Sequence, residues 1–290
     1  MNNNNNKVIS YAFIAPAFLF VVLLLLVPMF QNIYYSFFKW DGISEPIFIG
    51  LRNYALLFHD SNFIRSSINT IVWVVFTMIF PVIGGLLLAI FLRGLKFENI
   101  FKTVFFIPFV ISFVATGAIW FYIYNREVGV ANTLLSLIGV GKISWLIRVP
   151  LNTIALLVAW LWQQIGINML LFLMGLTAIP IEQTEAAIVE GATKWQTFIH
   201  VTFPMLAPIT TVVVVRGMGN SFKAFDLIYV MTRGGPYRSS ETLSVTMFRE
   251  TFTMFNMGYG AAIAVVLSII VISVTAFYVR STIKKDLLHY

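Results

Sequence analysis

Six long apolar stretches separated by short polar intervals are the dominant pattern of this chain. The first has no charge across 8–38, exceeds a signal-peptide core in length and lacks a small-x-small cleavage site behind it. It reads as an uncleaved membrane helix bent by Pro16 and Pro28. The second is uncharged across 66–92 and stops at Arg93; the third covers 103–125 and the fourth 149–181. Each is long enough for the roughly 20 residues that a bilayer demands. The fifth, 203–230, is unusual in holding Arg216, Lys223 and Asp226, while the sixth, 251–279, is uncharged until Arg280. Residues 39–65 predict a short structured loop outside the membrane, and 126–148 a glycine-containing loop with one short helix. The expectation is an all-α polytopic membrane protein with six transmembrane helices, one domain over 1–290 and no internal repeat.

Composition agrees with that pattern. Of the 290 residues 59% are hydrophobic and 11% charged, and the mean hydropathy is +0.87, more apolar surface than a soluble domain can bury. The net charge of +7 comes from scattered single residues, which suits anionic lipid headgroups of a bilayer and gives no basis for nucleic acid. With no cysteine, disulfides, thiolate metal sites and cysteine nucleophiles are excluded.

One polar interval stands apart. Residues 185–208 read EAAIVEGATKWQTFIHVTFPMLAP between two strongly apolar spans. Gly191 suits the position just past a helix C-terminus, where the left-handed conformation is needed. Thr193 and Gln196 have the spacing of a capping box that opens a new helix, and Pro204 marks the start of the next span. The interval therefore predicts helix, sharp turn, helix. An ordinary amphipathic loop helix would account for the Glu-Ala-Ala triplet taken alone.

Glu185-Ala186-Ala187, then Gly191 after three intervening residues, then Val201-Thr202-Phe203-Pro204, resembles the EAA motif of membrane subunits of binding-protein-dependent ABC importers. That family more often has Asp at the position of Glu190, and Ile and Leu at those of Val201 and Phe203. Further stretches, Phe101-Lys102-Thr103 with Phe106-Ile107-Pro108, and Tyr229 to Thr232 with Gly234-Gly235-Pro236 and Glu241-Thr242-Leu243, look like the carbohydrate branch. Within it they are similar to the first maltose or glycerol-phosphate permease component. The resemblance implies the type I ABC importer transmembrane fold, with 182–203 as a cytoplasmic coupling loop in which Glu185, Ala186, Ala187 and Gly191 meet the ATPase. It implies a second homologous permease subunit, two cytoplasmic ATPase subunits, an extracytoplasmic solute-binding protein and a sugar substrate as partners. ATP hydrolysis would belong to the separate subunits, so this chain is not expected to be an enzyme.

Lysine and arginine counts do not orient the chain. With both termini in the cytoplasm, eight fall inside and nine outside, although the inner connector 93–102 and the C-terminal tail are denser in positive charge. The EAA resemblance places 182–203 inside, and six spans then place both termini in the cytoplasm of a bacterial or archaeal cell.

The remaining signal is polar groups inside spans. An ionisable residue there costs about 2.5–3.5 kcal/mol on insertion scales unless it faces protein or water. Arg216, Asn220 and Lys223 share one helical face, and Trp160, Gln164 and Asn168 repeat at i, i+4, i+8 on the fourth span. Two such stripes could line a water-filled sugar path, the amides and cations bonding hydroxyls and the indole packing on a pyranose. Against this, Lys223 could pair with Asp226, and Gln164 and Asn168 could join helices as structural glue. Arg216 at such a site favours a substrate with a carboxylate or other anionic group, so the expected cargo is an oligosaccharide, an acidic one if Arg216 contacts it. His59, His200 and His289 are too scattered for a metal site, no catalytic constellation falls on one face, and no phosphate-binding glycine loop occurs, so neither metal nor cofactor is expected. A self-sufficient secondary sugar carrier is the alternative; it typically has an internal repeat and needs no EAA segment.

Overall fold

The computed structural model describes residues 13–222 and 224–286. They fall into two compact units, one of 13–64 with 246–269 and one of 65–245 with 270–286. Among the described residues four helices are long and apolar enough to cross a membrane alone: α1 (Phe13–Tyr35), α3 (Ser61–Leu92), α7 (Leu151–Ala178) and α13 (Met257–Asp286, apolar as far as Arg280). Two bent pairs, α4 (Glu98–Val110) with α5 (Phe113–Ile123) and α9 (Lys194–Met205) with α10 (Ala207–Ser221), bring the number to six when each pair is counted as one span.

The first unit carries the predicted structured loop. Strands β1 (Phe38–Lys39) and β2 (Ile47–Phe48) pair antiparallel, Phe38 opposite Phe48, and α2 (Arg52–Leu57) follows. The turn between the strands is tied by Asp41, whose Oδ1 accepts from the Ile43 and Ser44 amides and the Ser44 hydroxyl. Those bonds favour the carboxylate and hold its pKa at about 2. Buried Asn53 donates to the carbonyls of Ser36 and Phe38 at 2.8 and 2.9 Å, fixing α2 to the hairpin.

Two sequence expectations about spans are corrected. The third span is not one helix over 103–125: α4 and α5 meet at 101°. Pro108 supplies no donor near the end of α4 and crowds the carbonyl one turn back, Ile111 is extended (φ −75°, ψ 135°), and the Ser112 hydroxyl caps α5 by accepting from the Ala115 amide. The fifth span ends at Ser221 rather than near 230, and α11 (Asp226–Thr232) is a separate short helix. Its start is also continuous with the preceding interval, because α9 runs through Pro204 and bends by 65° at Leu206 before α10.

Prolines leave the same mark twice. A π-turn over Val22–Leu26 ends with the Val27 amide on the Val22 carbonyl, just before Pro28, and one over Phe198–Thr202 ends with the Phe203 amide on the Phe198 carbonyl, just before Pro204. A proline ring crowds the carbonyl four residues back, and widening the turn by one residue relieves it.

In the second unit, α4 and α7 approach so closely that a Cβ on Gly166 would collide with the Phe105 carbonyl oxygen. One core gathers Trp73, Trp160, Leu156, Leu227 and Ile228; another gathers Met169, Phe172, Leu206 and Val213. The loop 126–148 holds one short helix, α6 (Val130–Ser136), as the sequence predicts, and buried Asn132 ties it to the Arg126 and Ile143 carbonyls. After α11, a final short helix α12 (Leu243–Phe248) precedes the last span.

Candidate functional site

The two polar stripes meet at Arg216. From α10 its Nη2 donates to Gln164 Oε1 at 2.9 Å and its Nη1 to Asn168 Oδ1 at 3.2 Å, both on α7. The guanidinium also lies 5.0 Å from the Phe109 ring centroid on α4, a cation–π distance. No carboxylate among the described residues lies within ion-pair distance of it. A guanidinium offers five N–H donors, and two are used here. The cation is thus held by neutral amides and an aromatic face, with donors left for an anion.

The amides continue beyond Arg216. Gln164 Nε2 donates to Gln163 Oε1 at 2.9 Å, and Gln163 Nε2 donates to the Ile111 carbonyl at 2.7 Å. That carbonyl sits at the break between α4 and α5, where no helical partner exists for it. A continuous hydrogen-bonded path therefore runs from Arg216 to the bend. Gln163, Phe109 and the bend itself were missed in the sequence, although Pro108 next to Phe109, and a second glutamine beside Gln164, were the available signals.

Other expected path residues fare differently. Asn220, one turn beyond Arg216, is half-buried, and its side-chain amide forms no hydrogen bond among the described residues. Trp160 is corrected: it is 3% exposed, stacked on Phe113 at 4.5 Å and edge-on to Trp73 at 5.5 Å, so its indole belongs to the core rather than to a sugar-facing wall. The stripe fails there because α3 and α5 both pack against that end of α7. Lys223 lies outside the described residues. The two stripes touch where Arg216 meets Gln164 and Asn168.

The 182–203 interval folds as its residues predict. Helix α8 (Ile181–Val189) carries Glu185, Ala186 and Ala187 and ends at Gly191, whose φ is +87°. The Gly191 amide bonds the Ile188 carbonyl at 3.0 Å and the Ala192 amide the Ala187 carbonyl at 2.9 Å, the paired closure of a Schellman motif. Thr193 and Gln196 then form both bonds of the capping box that starts α9. Glu185 is exposed, and so are the apolar side chains of Ile188, Val189 and Trp195. No group of three or more His, Asp or Glu able to hold a metal occurs among the described residues.

Apolar helices of spanning length and two bent pairs have the form of a multi-pass membrane protein. The family profile for the "Binding-protein-dependent transport system inner membrane component" matches residues 81–286, and the chain belongs to that family. It is 36% identical over 283 residues to the "Probable ABC transporter permease protein YurN" of Bacillus subtilis, covering 96% of this chain and 97% of that protein. It is 32% identical to the "Arabinooligosaccharides transport system permease protein AraP" of Halalkalibacterium halodurans, covering 97% and 90%. A chain from the crystal structure of a bacterial ABC transporter "involved in the import of the acidic polysaccharide alginate" shares the fold at a TM-score of 0.86, with 21% identity over 97% of this chain and 96% of that one. The chain is an inner-membrane permease of the ABC class.

Proposed function

We propose that this permease forms half of the path by which an ATP-driven importer carries an oligosaccharide bearing carboxylates across the membrane, and that Arg216 reads those carboxylates. The observation that carries the reading is the Arg216 guanidinium, desolvated enough to sit over Phe109, bonded to two amides and balanced by no carboxylate among the described residues. An anionic sugar would complete it through a bidentate pair. Asn220, with its free amide, is placed one turn away to bond a hydroxyl. The relatives support sugar as the cargo, since AraP is named for arabinooligosaccharides and the structural neighbour for alginate.

The 182–203 interval is the coupling element in this reading. Glu185 meets a basic group in the ATPase groove, Ala186 and Ala187 allow close approach, and Gly191 sets the angle between α8 and α9. The two ATPase subunits hydrolyse ATP; this chain does none of that chemistry. A second, homologous permease completes the path, and the helix Phe13–Tyr35, none of whose described residues is buried, is free to lie against it or against lipid. With 182–203 inside, both termini are cytoplasmic, and a solute-binding protein delivers sugar from outside. The test is purification of the tagged permease with its neighbouring subunits. ATPase subunits should co-purify, be lost on Glu185→Arg, and hydrolyse ATP faster with binding protein plus acidic oligosaccharide. A permease that purifies alone and transports alone would sink the reading and favour the secondary carrier.

A further inference from the structure

We infer that the first unit holds a second saccharide site, outside the membrane spans, that takes a carboxylated sugar residue before it reaches Arg216. The hairpin, α2 and the turn before α13 enclose a cavity of about 500 Å³, within the size range of small-molecule sites. Lys39, Trp40, Arg52, Asp60, Glu250 and Asn256 line it.

Three features of the lining point to one chemistry. The acceptors are fixed before any ligand arrives: Asp60 Oδ2 accepts from the Tyr259 hydroxyl at 2.8 Å, and Glu250, 8% exposed, accepts from Asn256 Nδ2 at 3.2 Å. Pre-oriented carboxylates are what sugar hydroxyls bond best. The aromatic wall is fixed too, because Trp40 stacks on Tyr35 at 4.2 Å and spends its indole N–H on the Ser44 carbonyl at 2.9 Å. An indole so held has only its ring to offer, and a ring face suits the apolar side of a pyranose. Finally, Lys39 and Arg52 are exposed and neither forms an ion pair among the described residues, so two positive charges stay available to a ligand carboxylate. A neutral sugar would leave both cations unused. A phosphate, carrying more negative charge than a carboxylate, would be repelled more strongly by Asp60 and Glu250.

The inference rests on the acidic-oligosaccharide reading of the membrane site. Helix α3 starts one residue past Asp60 and runs as a single span to the 93–97 connector, so by chain order Asp60 precedes the end of that span opposite the connector, the outer end in the proposed topology. Incoming sugar would meet the cavity first.

The test uses the complete transporter in lipid nanodiscs, without binding protein, titrated by calorimetry with a mannuronate trimer and with a neutral maltotriose. The mannuronate trimer should bind and maltotriose should bind more weakly. Arg52→Gln and Trp40→Phe should each weaken the mannuronate by about tenfold or more, the effect of losing one charge-assisted or stacking contact. Arg216→Gln should leave this binding event in place. No binding to the wild type, equal binding of the two sugars, wild-type affinity in Arg52→Gln and Trp40→Phe, or loss of all binding in Arg216→Gln would each overturn the inference. So would retention of sugar affinity in Arg52→Gln with loss of complex formation with the binding protein, which would assign the cavity to protein docking. Uptake of the same trimer by proteoliposomes separates the two readings: uptake without cavity binding removes only the outer site, whereas absence of uptake removes the acidic-sugar function itself.

Discussion

Arg216 on α10 and Gln164 on α7 are joined by a 2.9 Å hydrogen bond in which the guanidinium Nη2 donates and the amide Oε1 accepts. The bond ties together two helices that each carry a polar stripe, and Gln163 extends it to the Ile111 carbonyl at the α4–α5 bend. Gln164→Leu would strip one acceptor from a half-buried cation, so stability in detergent should fall by about 1–3 kcal/mol. The double variant with Arg216→Leu should cost less than the sum of the single changes, because it leaves no stranded charge. Chemical or thermal unfolding of the four proteins of that cycle is the check, and strict additivity would show that the two side chains act independently.

Gly191 tests the coupling turn. At φ +87° with no atom within 4 Å of a built Cβ, the penalty for a side chain is conformational rather than steric contact with neighbours. Gly191→Val should strain the turn by about 1–2 kcal/mol, and Gly191→Asn by less, since asparagine tolerates that region. Sugar uptake and binding-protein-stimulated ATP hydrolysis should fall together, more in the valine than in the asparagine variant, with membrane insertion intact. Full transport in Gly191→Val would remove the turn from the mechanism.

Gly166 is the opposite case, a glycine kept for contact. Its Cβ would collide with the Phe105 carbonyl, so Gly166→Ala should destabilise the second unit by about 1–3 kcal/mol. Gly217→Ala, in α10 with open space around it, should be neutral or stabilising by up to about 1 kcal/mol. Melting temperatures of the two variants in one detergent decide it, and equal shifts would contradict the close approach of α4 and α7.

Orientation is open to direct labelling because the sequence contains no cysteine. Gln183→Cys, in the coupling interval, should be protected from an impermeant thiol reagent added outside, and Ser44→Cys, in the hairpin turn, should react. Labelling of position 183 from outside intact cells would overturn the proposed topology.

The spans were legible because an uncharged run of bilayer length has few other uses, and the Gly191 turn was legible because its chemistry is local. Thr193 and Gln196 lie three residues apart, so their spacing alone specifies the bonds they make. The α4–α5 bend was not legible: Pro108 sits inside a run apolar enough for one straight helix, and what stabilises the break is Gln163, 52 residues away from Ile111 in the chain. Trp160 was misread for a similar reason. Its spacing with Gln164 and Asn168 fixes which face of α7 it occupies, but only the packing of Phe113 and Trp73 decides that this end of the face is closed. The cavity of the first unit draws on residues from 39 to 259, and no periodicity joins them.

Recognition of a carboxylated sugar by Arg216 is the step on which the proposed function depends. Its most direct test is uptake by proteoliposomes holding the complete transporter and binding protein, comparing wild type with Arg216→Gln on a mannuronate trimer and on maltotriose. Mannuronate uptake at limiting concentration should drop about 10- to 150-fold, equivalent to about 1.5–3 kcal/mol for a charge-assisted hydrogen bond, while basal ATP hydrolysis of the assembled transporter is retained. A stable Arg216→Gln transporter that takes up the acidic trimer at the wild-type rate would contradict it.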